Sequence, residues 1–183
     1  MEGFESCVRS METSHRSKLV LRCKVVVVGD AHVGKTALVS MFASGSFPKT
    51  YVMTAWTDFS VKEFIMAAAA ADNKNNNKNN TVVELYIFDC GGQSIFNQIE
   101  ANAACYENAN YVIIAYDATN QSSFESCGKW LQQVAKRSQV ILVETKQDLE
   151  DRRVIPPGAG AAFADAHELT FFQTTSPKST RVL

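Results

Sequence analysis

Apolar positions along the chain fall into short blocks separated by polar turns. Residues 19–28 begin mixed and end in Val25-Val26-Val27-Val28, a run that predicts a strand buried on both faces. After a glycine-bearing turn, Leu38, Met41 and Phe42 recur at helical spacing, and Ser44-Gly45 provides a helix stop, so a helix is expected to reach about Ala43. A loop over 45–56 precedes a strand over 58–66, where Phe59 and Val61 alternate with Asp58, Ser60 and Lys62; a third strand covers 81–88.

Further on, a helix is predicted within 95–106 and a buried strand over 111–116. Ser122 or Ser123 is expected to cap a helix whose stripe is Phe124, Cys127, Leu131 and Val134, with Trp130 read as packing rather than as a ligand. Strands over 140–144 and 169–174 flank an Ala-rich helix over 159–167 entered through Pro156-Pro157. Strands alternating with helices predict an α/β fold: a six-stranded, mostly parallel sheet with helices on both faces, strands two and three forming one antiparallel edge. Ligands of such sheets sit beyond the carboxyl ends of the strands.

At 183 residues the chain suits one domain, expected over 19–183 after a flexible leader at 1–18. The Ala- and Asn-rich stretch 67–80 cannot bury anything and reads as an insertion in a hairpin loop. A net charge of -1 gives no electrostatic footprint for nucleic acid. Five cysteines, scattered and never at metal-ligand spacing, indicate neither a disulfide framework nor zinc. No stretch approaches a membrane span, residue 2 is Glu, and no cysteine stands near Leu183, so no direct lipid anchor is expected.

Chemistry concentrates at 29–36. Gly29-Asp30-Ala31-His32-Val33-Gly34-Lys35-Thr36 fits G-x-x-x-x-G-K-[ST] at every defined position, between a predicted strand and a predicted helix. Glycines let backbone N–H groups converge on a phosphate, Lys35 adds a point charge, and Thr36 offers a magnesium ligand. The same sheet edge collects Asp89-Cys90-Gly91-Gly92-Gln93 after the third strand, Thr145-Lys146-Gln147-Asp148 after the fifth and Ser176-Pro177-Lys178 after the sixth.

With these segments in this order, the chain resembles the small GTPases of the Ras superfamily. The resemblance implies GTP/GDP with Mg2+ as cofactors. Gly29, Ala31, His32, Val33, Gly34, Lys35, Thr36 and Ala37 would hold the phosphates. Thr36, Thr54 and Asp89 would serve the metal. Gly92 would offer its N–H to the γ-phosphate, and Gln93, with Lys35 and Thr54, would act in hydrolysis. Asp148 would pair with the two guanine donors, and Lys146, Phe47, Ser176, Pro177 and Lys178 would complete the base pocket. The carboxylate favours guanine because adenine would face it with an unpaired acceptor. Ala31 and His32 stand where many members have glycine, so slow intrinsic hydrolysis is expected. Thr145 replaces the usual Asn, and Trp56 follows Thr54 where Rab-type members have glycine, which argues against ordinary Rab effectors.

Tyr51-Val52-Met53-Thr54-Ala55, the stretches 84–89 and 115–120, and Ser122-Ser123-Phe124 through Lys129-Trp130-Leu131 resemble the Rab-like GTPases of intraflagellar transport. That resemblance implies a subunit of transport complex B, in the cytoplasm and in the cilium or flagellum. There it would pair with a small β-sandwich subunit, intraflagellar transport protein 25. Competing readings are a constitutively nucleotide-bound structural subunit, a Rab-type vesicle-traffic switch, and a P-loop kinase, which would leave Lys146, Asp148 and Gln93 unexplained. Too little chain follows Lys178 for the final helix of this fold, so that helix is expected to be missing, by truncation or because a partner covers the face.

Overall fold

A computed structural model describes residues 19–66, 81–92, 105–134 and 138–175. In chain order these form β1 (Val20–Val28), α1 (Lys35–Ser44), β2 (Thr57–Met66), β3 (Thr81–Cys90) and β4 (Tyr111–Asp117). Next come α2 (Gln121–Glu125), α3 (Cys127–Val134), β5 (Gln139–Thr145), a 3-10 turn (Glu150–Arg152), α4 (Ala159–Ala166) and β6 (Thr170–Gln173). The strands make one sheet in the order β2-β3-β1-β4-β5-β6, and the pairs β1–β4, β4–β5 and β5–β6 run parallel. This is the α/β sheet that the alternating pattern predicts. The leader, the insertion, residues 93–104 and the final-helix region lie outside the described residues.

The described residues divide into two compact units. In the smaller, made of 19–22, 63–66 and 81–84, the Val82 N–H donates to the Leu19 carbonyl at 2.8 Å and Arg22 Nε donates to Glu84 Oε2 at 3.0 Å. The larger unit holds all the candidate chemistry.

In that unit the Val-rich end of β1 is buried on both faces, as its unbroken apolar run requires. Val26 and Val28 pack with Val112, Ile114, Leu142, Cys127, Trp130 and Ile155, whereas Val27 packs with Val39 and Ile87. Two layers of core thus clamp the strand that delivers the phosphate loop. Helix α1 ends where expected: Gly45 adopts φ 71° and its N–H returns to the Met41 carbonyl at 3.0 Å. Its buried apolar residue is Val39, while Phe42 is exposed beside an apolar groove of about 640 Å3.

Local details of the helices and of the sheet edge refine the sequence pattern. Asn120, not Ser122 or Ser123, caps α2; its side chain accepts from the Ser123 N–H at 3.3 Å, and the Ser123 hydroxyl turns inward to the Asn120 carbonyl at 2.7 Å. The expected stripe of Phe124, Cys127, Leu131 and Val134 does meet the core, Cys127 and Val134 buried and Phe124 and Leu131 partly covered, and Trp130 is buried beside it. At the sheet edge, β2 leaves Phe59 and Val61 exposed, although the Phe59 ring still contacts Phe88 at 5.0 Å.

Strand β3 continues through Cys90, β4 through Asp117 and β5 through Thr145, each beyond its apolar run. The parallel ladder carries β4 and β5 to their ends, pairing Asp117 with Thr145. Within β5 the apolar run hides Glu144, which is fully buried. Its carboxylate accepts hydrogen bonds from Arg153 at 2.6 Å, the Tyr116 hydroxyl at 2.7 Å and Gln173 at 3.1 Å. Burial alone would raise the pKa of Glu144, but the Arg153 and Tyr116 hydrogen bonds and the Arg153 charge outweigh it and hold the group below its ordinary value.

A carboxyl depressed in the folded state contributes stability at pH values above its unfolded pKa, and that contribution is lost as pH falls through the folded value. Glu144→Gln, which leaves Arg153 without its charge partner, should cost about 3–5 kcal/mol in urea unfolding at neutral pH. It should also flatten the acid limb of the stability profile below about pH 4.

Candidate functional site

The phosphate loop occupies the turn from β1 into α1. Gly29 and Gly34 take φ 136° and 97°, and a Cβ on Gly29 would collide with the Ala115 carbonyl of β4. With Gly34 at its cap position and no side-chain cap, the amino end of α1 presents backbone N–H groups and its partial positive charge to the cleft. Buried Lys35 turns back into the loop, where Nζ donates to the Gly29 carbonyl at 2.9 Å and the Asp30 carbonyl at 2.8 Å. Burial lowers its pKa, against the pull of Asp89 and Asp30.

Side chains from the neighbouring strand ends fix this loop. The Thr145 hydroxyl lies 2.6 Å from the Val33 carbonyl and 2.9 Å from the Tyr116 carbonyl. Lys146 Nζ donates to the His32 carbonyl at 2.8 Å and to Asp117 Oδ2 at 2.5 Å. From α3, the Trp130 indole N–H donates to Asp30 Oδ1 at 2.9 Å. Trp130 is therefore packing, as expected, and also a tether for the loop. On the far side Gly92 lies so close that a Cβ there would overlap the backbone of Asp30 and Ala31.

At the base of the cleft three oxygen-bearing side chains meet. The Thr36 hydroxyl donates to Asp89 Oδ2 at 2.5 Å and lies 3.1 Å from the Thr54 hydroxyl. Asp89 Oδ1 is buried without a partner, and burial raises the pKa of the carboxyl despite the Thr36 hydrogen bond and the nearby Lys35. An unpaired carboxylate oxygen beside two hydroxyls is a set of hard donors that fits Mg2+, an ion that keeps waters and uses few protein ligands.

The cleft itself measures about 690 Å3, with Ala31, His32, Gly34, Lys35, Thr36, Ala37, Phe47, Thr54, Gly92 and Lys146 on its walls. A second hollow of about 320 Å3 shares Gly34, Ala37, Phe47 and Lys146 and adds Thr145 and Asp148. The structure thus brings together the residues singled out in the phosphate loop with Phe47, Thr54, Asp89, Gly92, Lys146 and Asp148. Gln93, Ser176, Pro177 and Lys178 lie outside the described residues. Sequence reasoning missed Asp117, the charge partner of Lys146, although an acidic residue at the carboxyl end of a buried strand was a usable signal. The tether from Trp130 to Asp30 joins positions 100 apart in sequence and had none.

Comparisons with known proteins agree with this geometry. The Ras family profile matches residues 24–183. The intraflagellar transport protein 27 homologs of Mus musculus and Trypanosoma brucei brucei (strain 927/4 GUTat10.1) are each 36% identical over 162 residues, covering 85% of this chain and 81% of theirs. The GTP-binding protein ypt1 of Schizosaccharomyces pombe is 30% identical over 163 residues, 87% of this chain and 73% of its own.

Thr145 offers a clean check on how the loop is held. Thr145→Val keeps the shape and strips the hydroxyl from two buried carbonyls, so urea unfolding should show a loss of about 1–3 kcal/mol, whereas Thr145→Ser should stay close to wild type. Equal stability of the two variants would contradict the tether.

Proposed function

This chain belongs to the Ras family, and from that premise we propose that the cleft binds GTP and GDP with Mg2+ and hydrolyses GTP slowly. We place it as a Rab-like subunit of intraflagellar-transport complex B, in the cytoplasm and the cilium or flagellum. The observation that carries the nucleotide reading is the buried, partnerless Asp89 oxygen beside Thr36 and Thr54, under a loop whose lysine points at its own carbonyls. A triphosphate is the ligand that would take Lys35 from those carbonyls and meet the N–H groups of Gly34, Lys35, Thr36 and Ala37. Phe47, Lys146 and Asp148 line the adjoining hollow, where Asp148 would accept from guanine; Ser176, Pro177 and Lys178 complete the pocket by family pattern.

When bound, Mg2+ would supply charge neutralisation at the phosphates. Asp89 would hold it through water, with Thr36 and Thr54 as direct ligands. Gly92 would donate its N–H to the terminal phosphate, and Gln93 would orient the attacking water. The slow rate rests on Ala31, whose methyl stands in a loop that Gly92 already touches. A methyl there limits how closely the water-orienting residues can approach, and small misplacements at a reacting centre carry large rate costs. The same crowding favours a second reading, a structural subunit that keeps its nucleotide and seldom turns it over.

The complex B assignment, with the small β-sandwich subunit intraflagellar transport protein 25 as partner, is supported by the two relatives named for intraflagellar transport.

Nucleotide released by heat from the purified protein should be guanine nucleotide; adenine nucleotide would overturn the assignment. In single-turnover assays Ala31→Gly should hydrolyse GTP about tenfold faster than wild type, and an unchanged rate would remove Ala31 as the cause of slow turnover. Partner affinity that is the same in the GDP and GTP states would favour the structural subunit over the switch.

A further inference from the structure

His32 is the only non-glycine residue of the loop 29–36 held at positive φ, at 65°. Such a conformation is costly for a residue with a side chain and persists only where its surroundings impose it. Here the Lys146 ammonium grips the His32 carbonyl at 2.8 Å. With the backbone pinned, the exposed imidazole stacks on the ring of Tyr51, centroids 4.5 Å apart and planes inclined by 29°.

Tyr51 belongs to the segment 46–56, which contains no helix or strand and also carries Thr54. Both rings line the large cleft, His32 from the phosphate loop and Tyr51 from the opposite wall. A second contact between the phosphate-loop side and that segment is the pair of hydroxyls on Thr36 and Thr54, 3.1 Å apart. Residues flanking Tyr51 give the segment little anchorage, since Val52 and Met53 are exposed.

We propose that His32 and Tyr51 form an aromatic clasp across the phosphate end of the cleft, and that this clasp slows release of the bound nucleotide. The proposal rests on the guanine-nucleotide reading of the site. A ligand leaving the cleft requires the 46–56 segment to swing away from the phosphate loop, and the stack must break first. Glycine at position 32 would offer Tyr51 nothing to pack on, so the clasp is a property of this loop's particular sequence. Neither ring is needed by the core, because both are exposed.

The test is the release rate of a fluorescent GDP analogue, chased with excess GDP, from wild type, His32→Ala, Tyr51→Ala, the double variant and Tyr51→Phe. Each alanine variant should release about 3- to 10-fold faster, the range that an aromatic pair supports. The double variant should be no faster than either single one, and Tyr51→Phe, which keeps the stack, should match wild type. Unchanged rates, or single effects that multiply in the double variant, would overturn the clasp while leaving the guanine site intact. Failure of wild type to bind the analogue at all would overturn both.

Discussion

Everything at the candidate site depends on one constraint: the turn 29–34, which has no regular structure, must hold its backbone open toward the cleft at the start of α1. The chain meets it with four tethers on the loop's carbonyls and side chains. Thr145 holds the Val33 carbonyl, Lys146 holds that of His32, Trp130 holds the Asp30 carboxylate, and Lys35 spans the Gly29 and Asp30 carbonyls. Three of these four tethers come from the end of β5, the residue that follows it and α3, all far from the loop in sequence. Their positions are set by the parallel ladder and by the core around Trp130 and Val26. Fold and site are therefore coupled through a few polar contacts at the carboxyl ends of the strands.

Charge follows the same plan. Lys35 and Asp89 are both buried and both pushed toward their neutral forms by burial, and each is drawn back by the other. Such a pair is poised rather than satisfied, which is what a site for a polyanion and a cation requires. Glu144 is the contrasting case. Its three donors complete it, its pKa is lowered, and it faces the fold rather than the cleft.

Much of this was legible in the chain. The Val25 to Val28 run, the glycine-lysine-threonine turn and the strand-end segments carry the fold class and most of the site, because each has a local physical signature. What escaped depends on distance or on conflict with local rules. Trp130 reads as one more apolar residue until its indole N–H is seen to point at Asp30. Glu144 interrupts an apolar strand, and only Arg153, Tyr116 and Gln173 make its burial tolerable. Asn120 caps α2 in place of the expected Ser122 or Ser123, and because Asn and Ser cap about equally well nothing local to the sequence separates them. Tyr51 stood in a resemblance stretch, yet its stack on His32 needs the folded loop.

The central claim is that this loop and its strand-end partners make one guanine-nucleotide and magnesium site. Isothermal titration of nucleotide-free protein with GDP and with ADP, each with Mg2+ and with excess EDTA, tests it most directly. The account predicts tight GDP binding that weakens markedly in EDTA, and ADP binding weaker by at least about a hundredfold. Equal affinity for ADP, or GDP binding indifferent to Mg2+, would contradict it.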